Sequence, residues 1–346
     1  MSHKQTRLTR FFIASLALLA AAGCADSSGP GGPEDPGVLL ATVNEGGPRH
    51  LVWTRDGTEV VYAVSNALSA VSVSTHTVRL LDASPSTTIL TLCGAGERIY
   101  FGASVAPSGS TTTNFRVSRV NPTAGAVEIL TTAPWVGRDY VVISADERFL
   151  VANQVLYNLQ AATQINLPGG RPIGFSPDGT QLLYQDILQL STQTPFSLVS
   201  TSDGSSQPLH STGSLYFGHR WDGNSPQLID VGYDNGTLRL FETDGVAGIT
   251  RDLAQFSENP IFTFLANWSP DGRTLGAWID QGSGKSRRTN LYVIRSGSAP
   301  AIVASVITDF FHVGVGLPAF SPSGNSVAYN YYRDGSPRSL YMKSGI

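Results

Sequence analysis

Three aspartates in one repeated setting are the first candidates for chemistry. Asp56, Asp178 and Asp271 each stand three residues after an aromatic residue and directly before a glycine: Trp53 with Gly57, Phe175 with Gly179, Trp268 with Gly272. Carboxylates do paired acid–base work on glycosides when they lie roughly 5–9 Å apart. Equivalent positions in separate repeats are instead carried away from each other, so these three are predicted to be turn formers. The neighbouring residues agree. Ser176-Pro177-Asp178-Gly179 and Ser269-Pro270-Asp271-Gly272 read as hairpin corners. Ser suits the first position, Pro presets φ at the second, and Gly closes a three-residue loop in the left-handed conformation. Phe320-Ser321-Pro322-Ser323-Gly324 is a near copy.

Other catalytic patterns fail on spacing. No Gly-x-Ser-x-Gly elbow occurs and no α/β-hydrolase domain follows the repeats, which argues against a serine peptidase. Gly282-Ser283-Gly284-Lys285-Ser286 has the end of a phosphate loop, but the glycine needed five residues before Gly284 is Ile279. The six histidines (3, 50, 76, 210, 219 and 312) show no metal spacing, and no Cys-x-x-Cys, His-Glu-x-x-His or calcium-loop run appears. No metal or cofactor is therefore expected. His219, beside Arg220 and Trp221, and His312, after Phe310-Phe311, are candidates to face a central channel and touch a partner. The plainer reading of each is a structural or surface histidine. Lys285, Arg287 and Arg288 form the one basic cluster, a candidate docking point for an acidic partner or lipid head groups against the plainer reading of a solvated loop. Cys93, beside Leu92, reads as a buried small hydrophobe.

The elements that carry these residues follow from the repeats. Taking the aromatic or apolar anchor as zero, the good copies place Asp or Ser at +3, Gly at +4 and an apolar residue at +7. Anchors fall at 53, 92, 143, 175, 221, 268 and 320, so the gaps are 39, 51, 32, 46, 47 and 52 residues. That is the length of a four-stranded propeller blade. The copies at Leu92, Ile143 and Trp221 are degenerate; Glu147 replaces glycine in one of them. Six or eight blades therefore stay open beside seven. After its third strand, Leu340-Tyr341-Met342, the last copy has only Lys343 to Ile346, whereas Val38 to Val43 is an apolar strand with no blade of its own. It is expected to complete the last blade and close the ring.

Composition fits short strands and many turns. The 346 residues include 36 Gly and 20 Pro, and only 14% are charged, against about a quarter in an average domain. A formal charge of −3 offers no basic field for nucleic acid. At the N-terminus, Lys4, Arg7 and Arg10 precede the apolar run Phe11 to Ala22, too short to span a bilayer, and then Ala21-Ala22-Gly23-Cys24. This resembles a bacterial lipoprotein signal, which implies cleavage before Cys24 and acylation of its thiol. Position −3 is Ala21, where leucine is commoner in that family. An ordinary secretory signal with an incidental cysteine is the alternative. Residues 24–37, rich in Ser, Gly, Pro and acid, then read as a disordered tether to a membrane.

The Trp/Phe-Ser-Pro-Asp-Gly corner followed by a Leu-Tyr strand resembles the repeat of TolB-like, or WD-like, β-propellers over residues 38–346. The resemblance implies an all-β fold, a single propeller of four-stranded blades. It says much less about function. The α/β domain that TolB itself carries ahead of its propeller has no counterpart before Trp53. The function expected is that of a lipid-anchored, extracytoplasmic binding or scaffold protein, non-enzymatic, holding an envelope protein or glycan. Its face would be the outer membrane's periplasmic side or the cell surface in a Gram-negative envelope. A polysaccharide lyase or hydrolase with its site in the channel mouth, and a small-ligand sensor or carrier, are the alternatives. Nothing in the sequence sets the oligomeric state.

Overall fold

The computed structural model describes residues 35–43, 50–83, 87–106, 112–137, 140–186, 196–210, 216–234, 237–256, 261–281, 288–307, 313–333 and 338–346. These form 29 strands and, among the described residues, no helix. The strands make seven antiparallel sheets arranged as a β-propeller. Counted along the chain, the innermost strands of the blades are Leu51–Trp53, Thr87–Ala95, Val141–Ile143, Arg171–Phe175, Tyr216–Asp222, Ile261–Trp268 and, in blade 7, the broken pair Val313–Val315 and Ala319–Phe320. Blade 7 takes its outermost strand from the other end of the propeller: Val38–Val43 pairs with Arg338–Ser344, with Val38 opposite Met342 and Val43 opposite Arg338. The expected closure is therefore present.

Why the sequence makes this ring is visible in its burial. Second and third strands are apolar on both faces, as in Val60, Val61, Tyr62 and Ala63, all nearly inaccessible. A strand flanked by sheets on both sides has no solvated face, so strict alternation disappears. Seven apolar clusters result, one between each pair of neighbouring blades. The outermost strands, such as Ser206–Pro208 and Thr163–Asn166, are largely exposed.

The corners repeat one hydrogen-bond pattern. In blade 4 the Ser176 hydroxyl donates to Asp178 Oδ1 at 2.7 Å and accepts from the Gln181 N–H at 3.0 Å; Asp178 Oδ1 also accepts from the Thr180 N–H at 3.0 Å. Thr54 with Asp56, and Ser269 with Asp271, do the same at 2.7 and 2.6 Å. Gly57, Gly179, Gly272 and Gly324 have φ of +71°, +71°, +66° and +73°. The loop differs from expectation in one respect. Ser176 N–H donates to Gln181 O, so four residues turn, because the serine hydroxyl intercepts the returning N–H that its own carbonyl would have taken.

Two degenerate copies pair in a different register. At the regular corners the +7 residue pairs with the anchor, as Trp53 with Val60 and Phe175 with Leu182. In blade 2, Leu92 pairs with Phe101; in blade 5, Trp221 pairs with Pro226. Both blades turn through two residues, Gly96-Glu97 and Gly223-Asn224, with positive φ only at the glycine. That is the pattern of a type II′ turn, which needs no Ser-Pro-Asp-Gly. Blade 3 keeps the corner with Glu147 at φ +59°. Its carboxylate accepts from Arg98 Nη1 and Tyr100 Oη of blade 2, each at 2.8 Å, and so holds the strained residue in place.

Candidate functional site

All corners lie at one end of the strands, which defines a corner face. On it the channel opens into a mouth of about 930 Å³, lined by residues of blades 1, 2, 3, 6 and 7. The aromatic anchors Trp53, Trp268 and Phe320 are among its lining residues. Trp53 Nε1 donates to Ala319 O at 2.7 Å and so clamps blade 1 to blade 7 across the closure. Asn267 Nδ2 reaches Pro318 O at 3.2 Å, between blades 6 and 7.

The rim is charged. Arg98 is held by Glu147, and Glu59 accepts from Arg79 Nε at 2.9 Å. Arg55 and Glu97 line the mouth, exposed and without an ion pair among the described residues. The corner carboxylates are spent within their own turns. The Ser176 hydroxyl, then the Thr180 N–H, bring Asp178 down to about 2; the Thr54 and Ser269 hydroxyls likewise lower Asp56 and Asp271. All three lie in the corner turns and accept from residues of the same turn. No three His, Cys, Asp or Glu side chains converge as a metal site among the described residues.

His219 sits on the innermost strand of blade 5, half-buried. Its imidazole edge meets Trp221 with ring centroids 6.4 Å apart. A Cβ on Gly174 of blade 4 would come within 2.9 Å of His219 Nε2, so glycine is what admits the ring. Burial pushes the imidazolium down to about 4, so the ring is neutral at pH 7. Arg220 turns toward blade 6. Its guanidinium lies over Trp268 at 5.5 Å and its Nε donates to Glu242 Oε1 at 2.7 Å. Glu242, 1% exposed, also accepts from Arg251 Nε at 2.6 Å. Sequence reading passed over this triad. Its signal was an acid directly after the strand residues Leu238-Arg239-Leu240-Phe241. Arg288 begins the third strand of blade 6 and reaches Ser305 Oγ at 3.5 Å. Lys285, Arg287, His312 and Cys24 lie outside the described residues. Cys93 is half-buried, its thiol pushed up to about 12 by burial.

No family model and no curated protein matches the sequence. Solved structures do match. Oligogalacturonate lyase from Vibrio parahaemolyticus superposes with a TM-score of 0.64 at 10% identity, covering 88% of this chain and 92% of that one. An oligogalacturonate lyase in complex with manganese gives 0.63 at 14% identity, over 89% and 92%. TolB from Acinetobacter baumannii gives 0.44 at 13% identity, over 85% and 65%. At such identities the likeness concerns fold alone. The chain is a seven-bladed β-propeller, consistent with the TolB-like repeat in its sequence, and neither its activity nor its partner follows from these neighbours.

Proposed function

We propose that this protein is a binding or scaffold protein of the cell envelope, non-enzymatic, tethered to a membrane through acylated Cys24. It holds a protein or glycan partner at the corner-face mouth. One observation carries this reading: a broad concave mouth built from five blades, with two exposed rim charges, Arg55 and Glu97, that have no ion pair among the described residues. Such a surface is suited to recognition, since turns on a rigid scaffold commonly carry binding. The lyases that share the fold argue only that a propeller of this shape can also host an enzyme.

The test is in-cell cross-linking of the full-length chain, followed by identification of what co-purifies from membranes. An envelope partner recovered with the native chain, and lost from Glu97→Arg, supports the reading. The same preparation is incubated with acidic oligosaccharides. Steady chain cleavage with turnover would overturn it in favour of a polysaccharide-active enzyme.

A further inference from the structure

The chain enters the propeller at the corner-face end of blade 7. Pro36 O accepts from Tyr329 Oη, and Gly37 lies against the Met342 carbonyl, so closely that a Cβ there would sit 2.5 Å from it. Val38 then begins the outermost strand and runs away from the corner face, since it pairs with Met342 while Val43 pairs with Arg338. Eleven residues lie between Cys24 and Pro36, a reach of roughly 40 Å at full extension.

The same end of the neighbouring outer strands is apolar and exposed. On blade 7, Val38 is 49% exposed; on blade 1, Val78 and Leu80 are 48% and 62% exposed; on blade 2, Ile129 is 58% exposed. Blades 7, 1 and 2 are consecutive around the closed ring, so these side chains line one stretch of its outer margin, which Ile302, 54% exposed at the same end of blade 6, continues. The register places them near the corners: Val78 pairs with Val71 and Ile129 with Ser118, in strands that end at the corner face. Two ion pairs lie among them. Arg79 is bound to Glu59, and Arg119 Nε donates to Glu128 at 2.7 Å. Exposed apolar side chains whose nearest charges are tied in pairs favour the interface of a bilayer over a charged partner.

We propose that the corner-face edge of blades 7, 1 and 2 rests on the lipid bilayer, with Val38, Val78, Leu80 and Ile129 at the level of the head groups. The inference rests on the anchor through Cys24. It adds an orientation: the channel mouth beside blades 1 and 2 opens over the membrane surface, and its occupant is a molecule presented there. Contact through apolar side chains does not depend on anionic lipid or on salt.

The test uses the full-length, lipidated chain in phosphatidylcholine vesicles, in a Cys93→Ser background. Spin labels are placed one at a time at Leu80→Cys, Ile129→Cys and Val136→Cys. Val136 is 57% exposed on the connection that follows the opposite end of blade 2. Collision with lipid-soluble oxygen is compared with collision with a water-soluble nickel chelate. The labels at 80 and 129 are expected to show a ratio several-fold above the label at 136, unchanged by salt. Equal ratios at all three positions would overturn the orientation. So would shielding of 80 and 129 from both reagents, which would mean that a second copy or another protein covers the edge. Flotation with vesicles, compared between the native chain and Cys24→Ala, scores the anchor separately. A native chain that does not float overturns anchor and orientation together; flotation with aqueous labels overturns the orientation alone.

Discussion

Single side chains here act mostly on their own turns, and their titration shows it. Asp178 keeps its charge to about pH 2 because Ser176 and Thr180 donate to it. A carboxyl with a depressed native value stabilises the fold above its unfolded value near 4, and this contribution fades as pH falls toward 2. Asp178→Ala is expected to cost roughly 1–2 kcal/mol at pH 7 in urea unfolding, through lost hydrogen bonds at the corner. The difference from the native chain should shrink below pH 4. His219 works in a different window. Its native value, about 4, lies below the unfolded 6.5, so the unfolded chain binds the proton first. Stability is then full above pH 6.5 and falls as pH drops from 6.5 to 4. His219→Gln should flatten the melting temperature across that window; a native and a variant profile that fall in parallel would show that the imidazole is not the cause.

Strands and corners hold through contacts that cross from blade to blade. Trp53 is the clearest case, because its indole N–H reaches Ala319 O on the far side of the chain's closure. Trp53→Phe keeps the aromatic packing and leaves that carbonyl without its donor, so a loss of about 1–3 kcal/mol is expected, read by denaturant midpoint at unchanged slope. The regular corners were legible because Ser, Pro, Asp and Gly each answer a local need of the turn. The corners of blades 2 and 5 were less legible because they close through a shorter loop. A two-residue turn moves the pairing, and Gly96 and Gly223 mark it only by a backbone angle the sequence does not display. Glu147 in the glycine position stays in place through Arg98 and Tyr100, residues of another blade that local reading does not bring near.

The ring as a whole depends on one strand from the beginning of the propeller. Leu40, 2% exposed, packs into the cluster between blades 7 and 1. Its neighbour Leu39 is 43% exposed. Leu40→Ala should therefore cost roughly 2–5 kcal/mol of global stability, whereas Leu39→Ala should stay within about 0.5 kcal/mol. Equal small effects would mean that the closing strand is detachable and the ring stands without it. The same strand carries the chain toward Cys24, so the closing strand is also where the N-terminal segment joins the propeller.

Much of this protein was determined by local sequence. Four residues fix a corner, and seven anchors at blade spacing fix a propeller, because each turn and each apolar strand answers to its immediate neighbours. The unfinished last copy and the spare strand at Val38–Val43 fixed the closure by counting alone. Tertiary structure decided the rest. It spent the corner carboxylates in their turns, buried Glu242 between two arginines, seated His219 against Gly174, and gathered Arg55 and Glu97 at one mouth. These groups lie on different strands or blades, and the distances between them are set by how seven sheets pack around an axis, which no run of neighbouring residues encodes.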